Sequence, residues 1–441
     1  MANGKKAVRL VKRSLLGHKG NIMVFRINGG RALCGSLEIE SAKNSVLPVM
    51  AAATLAGERV VIKKCPKIAD VINMAEILAR CGVYSEFSDN NLVIEPRRAG
   101  KCAAGNTDGF DVSFSEKVRT SVLMLGALSA KCGKAKIPYP GGCDLGARPV
   151  DIHISALKSL GAKVREEDGF IICDEPVKGG KAVLSFPSVG ATENAIIAAA
   201  TARGEAMIVN AAKEPEIVDL ANFLNLLGAK VYGAGTSVVR VEGVKKLRGG
   251  EFTPSFDRIE AGTYLIAAAI SGGEIELRGV KAENISALLS KLCDITCKFK
   301  IKDDIIYLYS GRNRKAFSLV TGPYPMFPTD LQAPMCSLAA VSDGVSRIKE
   351  EVFGKRFHHI GELAKMGAEV SLIGGVAKFR GVSRLHGAEV SAHDLRCGAA
   401  LVLAGLNAEG TTVVRDIEHL ERGYYQMDKK LRYLGADVTR G

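Results

Sequence analysis

Lys43, Arg119 and Arg396 each stand just ahead of an alanine-rich stretch of helical character, and so do Ser188 to Thr192, Asp257-Arg258 and Asp330. A helix start carries unpaired N–H groups and about half a positive charge, so it takes up phosphates and carboxylates readily. Ser, Thr, Asn or Asp there also serves as an N-cap, and Asp257 or Thr192 taken alone is equally well read that way. A cation in the first turn opposes the dipole, so Lys43 (with Asn44 beside it), Arg119 and Arg396 point to an anion held among them. If the helix starts are related by pseudosymmetry, they gather at a cleft between two domains.

A second chemical feature is the run Pro140-Gly141-Gly142-Cys143-Asp144-Leu145-Gly146-Ala147-Arg148-Pro149. Pro149 suits the first position of a helix whose apolar face is Val150, Ile154 and Leu157, which puts Arg148 at that helix start. Cys143 lies on the preceding glycine-rich loop, where neighbouring cations lower a thiol pKa and make it a useful acid near neutrality. Ordinary packing is the default for any one of 11 cysteines, and the Gly-Gly context sets this one apart. The remaining cysteines show no Cys-x-x-Cys spacing, His358-His359 is the one histidine pair, and no His-Glu-x-x-His occurs. Neither a disulfide framework nor a metal centre is expected, and free thiols suit the cytoplasm. Walker, Rossmann, serine-hydrolase and kinase signatures are all missing.

The elements that position these residues repeat six times. An amphipathic helix ends in Leu-x-x-x-Gly at Gly82, Gly161, Gly228, Gly367 and Gly435, and in Leu-x-x-x-Thr at Thr296. A Gly after a helix is the residue that a left-handed C-cap favours. Each such helix follows an alanine-rich helix and a β-branched run, so the unit reads helix–strand–helix–strand–strand. Six copies divide into two similar α/β domains of three. The last copy ends without a strand pair while Ala32–Glu40 precedes the first copy unpaired, so the N-terminal segment is expected to complete the second domain. The expected organisation is a basic tail over 1–22, one domain over 43–255, and a discontinuous domain of 23–42 plus 256–441. The longer second copy carries an insertion either at 97–109 or at 139–146.

The chain has 441 residues, 47% hydrophobic and without Trp, which excludes disordered, collagenous and disulfide-stapled classes. No apolar run approaches the roughly 18 residues of a membrane span. The net charge is +13, of which six charges (Lys5, Lys6, Arg9, Lys12, Arg13, Lys19) lie in the tail with no acid. That tail lacks an apolar signal-peptide core and is read as a disordered extension. The positive body favours anionic partners.

On Ala42-Lys43-Asn44, Pro140–Ile154, Pro187–Thr192, Lys213-Glu214-Pro215-Glu216, Thr321–Gln332, Asp394-Leu395-Arg396 and Arg422-Gly423-Tyr424, the chain from about residue 23 onward resembles the UDP-N-acetylglucosamine 1-carboxyvinyltransferase family. The resemblance implies two domains of three βαβαββ units each, an inside-out α/β barrel. It also implies transfer of enolpyruvyl from phosphoenolpyruvate to the 3′-hydroxyl of UDP-N-acetylglucosamine with release of phosphate, the first committed step of peptidoglycan precursor synthesis. No cofactor or metal is implied, and the partners are these two small molecules rather than nucleic acid or membrane.

By the same resemblance Cys143 donates a proton or adds covalently and is the target of the epoxide fosfomycin, while Asp330 accepts the proton of the sugar hydroxyl. Lys43, Arg148, Arg396 and Arg422 would hold phosphoenolpyruvate. Arg119, Arg148, Pro149, Val150, Asp151, Ile152, Ser188, Val189, Gly190, Asp330 and Val352 would hold the UDP-sugar, with Asn44, Asp257 and Arg356 shaping the site. Five positions depart from the family: Glu40-Ser41 for Ser-Gly, Ala69 for Lys, Lys355 for Asn, and Thr296. The competing readings are the sister 3-phosphoshikimate 1-carboxyvinyltransferase, a non-catalytic paralogue, and a basic nucleic-acid-binding protein; the Cys143 loop argues against the first, and the lack of Trp and of recognition motifs against the last.

Overall fold

The structure is a computed structural model that describes residues 23–96, 119–140 and 150–441. Cys143, Arg148 and Pro149 therefore lie outside the described residues. The chain divides after Glu40 and after Ser255 into two compact units. The first unit carries helices α1 (Lys43–Ala53), α2 (Ala69–Arg80), α3 (Leu123–Cys132), α4 (Asp151–Ser159), α5 (Val189–Ala199) and α6 (Pro215–Leu226). The second carries α7 (Arg258–Ser271), α8 (Ser286–Asp294), α9 (Gln332–Ala340), α10 (His358–Lys365), α11 (Leu395–Asn407) and α12 (Met427–Tyr433).

Alanine decides which helices lie innermost. Every residue of α7 from Ile259 to Ser271 is buried, and α11 is buried from Leu395 to Leu406. Such all-round burial requires small side chains that let neighbouring backbones approach, since an apolar helix with no polar face must be covered on every side. In the second unit α7, α9 and α11 pack on one another, and in the first α3 packs on α5. Gly126 marks how close the latter pair comes: a Cβ there would sit 2.3 Å from Asn194 Oδ1. The other helix of each repeat has one apolar face, as in α10, where His359 and Leu363 are buried and Lys365 is exposed.

Among the described residues five sheets have four strands in one spatial order, and the sheet of the second repeat has three. In the third repeat, Gly180–Val183 runs parallel to Glu205–Val209, which pairs antiparallel with Val238–Glu242 and so with Lys230–Tyr232. Each four-stranded sheet thus has, beside the three strands that the sequence pattern suggests, one further edge strand that runs parallel to its neighbour. Two of these edge strands come from far along the chain. Gly250–Phe252 completes the first sheet beside Val60–Ile62, and Cys34–Glu38 completes the fourth beside Glu274–Arg278.

The N-terminal segment is in fact two strands with different destinations. Phe25–Asn28 inserts between Thr411–Arg415 and Asp437–Arg440 of the sixth sheet, while Cys34–Glu38 joins the fourth, and both belong to the second unit, the domain that the N-terminal segment was expected to complete. The chain also ends on a strand, Asp437–Arg440, rather than on the second helix. Of the described cysteines, eight are free thiols and Cys132 is disulfide-bonded, so the all-thiol reading does not hold throughout. Among the described residues no helix is long and apolar enough to cross a membrane.

The helix ends explain the repeated glycine. Gly82, Gly161, Gly228, Gly367 and Gly435 have φ between +81° and +99°, and Thr296 adopts +87° at the equivalent place. A β-branched residue there is strained by about 1–3 kcal/mol, offset in part by the bond from Thr296 Oγ1 to the Asn313 carbonyl at 2.6 Å. We expect Thr296→Gly to stabilise the protein by about 1 kcal/mol, read as a higher midpoint in urea. A lower midpoint would show that the hydroxyl bond outweighs the strain.

Candidate active site

All six sequence-selected helix starts are helix starts in the structure. In the second unit they converge on Asp330, which lies in the one-turn 3-10 segment Thr329–Leu331 ahead of α9. Its Oδ1 is 2.8 Å from Arg356 Nη2, and its Oδ2 accepts from Arg396 Nη2 at 2.8 Å. Both arginines are almost completely buried. Removing a guanidinium from water costs several kcal/mol unless an anion and further hydrogen bonds meet it, and one carboxylate meets two of them here. Burial opposes the Arg396 charge, but Asp330, Tyr424 and Asp257 around it raise its pKa.

The supporting layer is polar and largely satisfied. Arg356 Nη1 donates to Thr329 Oγ1 at 3.1 Å, and that hydroxyl donates to Glu350 Oε2 at 2.9 Å. Glu350 Oε1 accepts the N–H groups of Val352 and Phe353, both at 2.8 Å, which fixes Val352 relative to Asp330. Arg356 Nε is buried with no hydrogen-bond partner, leaving one guanidinium donor in reserve. Asp257 caps α7 through the N–H groups of Ile259 and Glu260, the bland alternative at that position. Arg422 ends the 3-10 segment Ile417–Arg422 and is half-buried.

The unusual acid at position 40 does not stand alone. Glu40 Oε1 lies 3.5 Å from Lys430 Nζ, which also bonds Glu260 Oε1 at 2.7 Å. Burial pulls the Lys430 ammonium down, yet the two carboxylates more than offset it and hold its pKa above the usual value. The charge that the sequence places beside Lys43 is thereby matched within the second unit. Lys355 is exposed.

In the first unit, Lys43 opens α1 and its Nζ is 3.2 Å from the buried Asp70 Oδ2, one residue after Ala69. Asn44 follows in the first turn of α1, and Arg119 begins the 3-10 turn Arg119–Val122 that leads into α3. Val150 is buried as the residue before α4, which starts with Asp151 and Ile152. Ser188 caps α5 by accepting from Ala191 N–H, with Val189 and Gly190 in that first turn.

Asn194 ties these segments together. Its Oδ1 accepts the Gly126 N–H at 2.9 Å, and its Nδ2 donates to the Val122 carbonyl at 3.1 Å and to His153 Nδ1 at 3.2 Å. A Cβ on Gly190 would meet the His153 ring at 3.0 Å, so Gly is what that contact admits. From its place on α5, one amide thus orients the Arg119 turn, α3 and α4.

Sequence reasoning missed Asp70, Asn194 and Glu350, and gave no role to Thr329 and Tyr424, which lie in the runs that carry the resemblance. Buried polar residues beside a recognised site residue were the available signal, but burial is set by contacts distant in sequence. No His, Cys, Asp or Glu group among the described residues could hold a metal ion. His359 lies behind the site, and burial pushes its imidazole down to about 4, with Asp394 opposing and Arg356 and His358 adding to the shift. Because its folded pKa lies below the unfolded value near 6.5, the unfolded chain binds the extra proton. Stability is then full above pH 6.5 and falls by roughly 3 kcal/mol as pH drops towards 4. Denaturation of wild type and His359→Gln across that window should show the slope flattened in the variant; an unchanged slope assigns the acid sensitivity elsewhere.

Comparison with known proteins adds three findings. The model of the EPSP synthase family (3-phosphoshikimate 1-carboxyvinyltransferase) matches residues 27–431. The chain is 45% identical to UDP-N-acetylglucosamine 1-carboxyvinyltransferase 2 of Caldanaerobacter subterraneus subsp. tengcongensis, over 94% of this chain and 99% of that protein. It is 42% identical to UDP-N-acetylglucosamine 1-carboxyvinyltransferase of Trichlorobacter lovleyi, over 94% and 98%. The crystal structure of the enolpyruvyl transferase NikO from Streptomyces tendae superposes with a TM-score of 0.83 at 22% identity, covering 95% of this chain and 99% of that one, which shows the shared fold.

Proposed function

The chain belongs to the EPSP synthase family, and we propose that its reaction is the one its 42–45% identical relatives are named for, UDP-N-acetylglucosamine 1-carboxyvinyl transfer. Phosphoenolpyruvate is the donor, the 3′-hydroxyl of UDP-N-acetylglucosamine the acceptor, and inorganic phosphate the leaving group. The enzyme is a cytoplasmic transferase that supplies peptidoglycan precursors. The observation that carries this reading is the clamp of Asp330 between two buried guanidiniums, in a chain so closely related over nearly its whole length.

The reaction needs a proton delivered to C3 of phosphoenolpyruvate, which makes C2 cationic. The sugar hydroxyl then adds to C2 and gives up its proton, and loss of phosphate with a C3 proton restores the enol ether. Cys143 is the proton donor at C3, and Asp330 receives the hydroxyl proton. Both Asp330 oxygens are held by arginines in the resting arrangement. An arriving anion competes for Arg396, so donor binding uncovers Oδ2 at the moment a base is needed. The reserve Nε–H of Arg356 is a further contact for an anionic oxygen.

Lys43, Arg148 and Arg422 supply the remaining cations for the donor. The phosphate displaces the weaker claim of Asp70 on Lys43, whose carboxylate keeps the ammonium in place beforehand. With no metal in the scheme, guanidinium and ammonium groups carry the whole of the charge neutralisation. Arg119, the Arg148–Ile152 stretch, Ser188–Gly190 and Val352 hold the UDP-sugar, and Asn44 and Asp257 shape its surroundings. The acceptor 3-phosphoshikimate is disfavoured by the Cys143 loop and by the names of the two relatives at 42–45% identity.

Phosphate release from phosphoenolpyruvate should require UDP-N-acetylglucosamine and should not occur with 3-phosphoshikimate; the reverse pattern would overturn the acceptor. Asp330→Asn should lower turnover by about 10²-fold or more while UDP-sugar binding persists, and near-normal turnover would remove it from proton transfer. Cys143→Ser should lose the covalent fosfomycin adduct seen by mass spectrometry in wild type, and an adduct persisting on the variant would place the reactive thiol elsewhere.

A further inference from the structure

Arg396 is held on its far side by a chain of hydroxyls that no role yet explains. Its Nη1 lies 3.1 Å from the Tyr424 hydroxyl, that hydroxyl is 2.8 Å from Thr263 Oγ1, and Thr263 Oγ1 is 2.7 Å from the Ile259 carbonyl. The direction of every bond is fixed by its ends. A guanidinium can only donate and a backbone carbonyl can only accept. Arg396 therefore donates to Tyr424, Tyr424 donates its single proton to Thr263, and Thr263 donates its own to Ile259. No spare proton remains to let the chain run the other way. Thr263 and Tyr424 are 0% and 2% exposed, so water has little access to substitute for a missing member.

The chain begins in the first turn of α7, beside the Asp257 cap, and ends on the guanidinium that holds Asp330 Oδ2. The Arg396 guanidinium also lies over the Tyr424 ring at 5.6 Å, so ring and hydroxyl together fix its plane. We propose that Tyr424, backed by Thr263, is a positioning residue that sets the orientation of Arg396 and through it the availability of Asp330 as base. This inference rests on the reaction proposed above. Without the hydroxyl acceptor, the Nη1–H is buried and unpaired, and the guanidinium rotates to satisfy it. It then presents a different edge both to Asp330 and to the donor anion. Tyr424 touches neither substrate in this scheme, so its effect passes entirely through Arg396.

Tyr424→Phe keeps the ring and removes only the hydroxyl. In the phosphate-release assay it should lower kcat/KM for phosphoenolpyruvate at least tenfold, leave KM for UDP-N-acetylglucosamine within about twofold, and shift the acid limb of the kcat/KM pH profile. Thr263→Ser, which keeps the chain, should stay within about twofold of wild type, whereas Thr263→Val should reproduce the Tyr424→Phe loss. The double variant Tyr424→Phe/Thr263→Val should be little worse than either single one, since the groups act as one unit. Wild-type kinetics and pH profile in Tyr424→Phe, or loss confined to thermal stability, would overturn the proposal. Should Tyr424→Phe fail to fold, equal activity of Thr263→Ser and Thr263→Val would overturn it. A wild type that releases no phosphate condemns the reaction itself, and is thereby separable from failure of the relay.

Discussion

Two guanidiniums buried side by side are intolerable without an acid between them, and the second unit is arranged around that constraint. Arg356 enters from the loop before α10, Arg396 from the start of α11 and Asp330 from the turn before α9. Those three starting points come together only because the alanine-rich helices pack closely enough for their N-terminal ends to share one carboxylate. Any larger side chain in the packed faces would push the ends apart. The cost of burying charge is thus what ties the small-residue composition of the core to the chemistry at its rim.

The two units meet the same problem with different means. In the second unit the cations find an acid directly. The first uses Asp70 for Lys43, and an amide, Asn194, to orient segments that carry no opposing charge. An amide can donate and accept at once, so it can bind a carbonyl, an N–H and an imidazole where a carboxylate could bind only donors. That arrangement leaves the helix starts themselves, rather than paired side chains, as the anion-binding groups of the site we propose.

Much of this was legible in the sequence, for identifiable reasons. The Leu-x-x-x-Gly repeat reports a left-handed C-cap, a local event written into one residue, and even its exception at Thr296 keeps the predicted backbone conformation. The alanine runs report helix–helix proximity, also a local property. What stayed hidden depends on partners far along the chain. The edge strands Cys34–Glu38 and Gly250–Phe252 look like loose ends until their distant neighbours are known. Glu40 looks like an intruder next to Lys43 until Lys430, some four hundred residues on, is seen to take its charge. Tyr424 is one more aromatic in the sequence, and only the geometry of Arg396 and Thr263 gives its hydroxyl a direction.

The sixth sheet has a bearing on how the molecule is made. Its inner strand, Phe25–Asn28, is synthesised long before both of its neighbours, Thr411–Arg415 and Asp437–Arg440. Val24 and Gly441 exchange backbone hydrogen bonds at 3.1 Å in each direction. The described residues of the first unit all lie between Ser41 and Ser255, a stretch that can fold while still on the ribosome, as N-terminal domains do. The early strand must wait through the whole of that event with its edges open, and an unpaired apolar edge is a template for wrong partners. Translation order therefore leaves Phe25–Asn28 without its partners until Thr411–Arg415 has emerged, so closure of this sheet follows synthesis of the first unit.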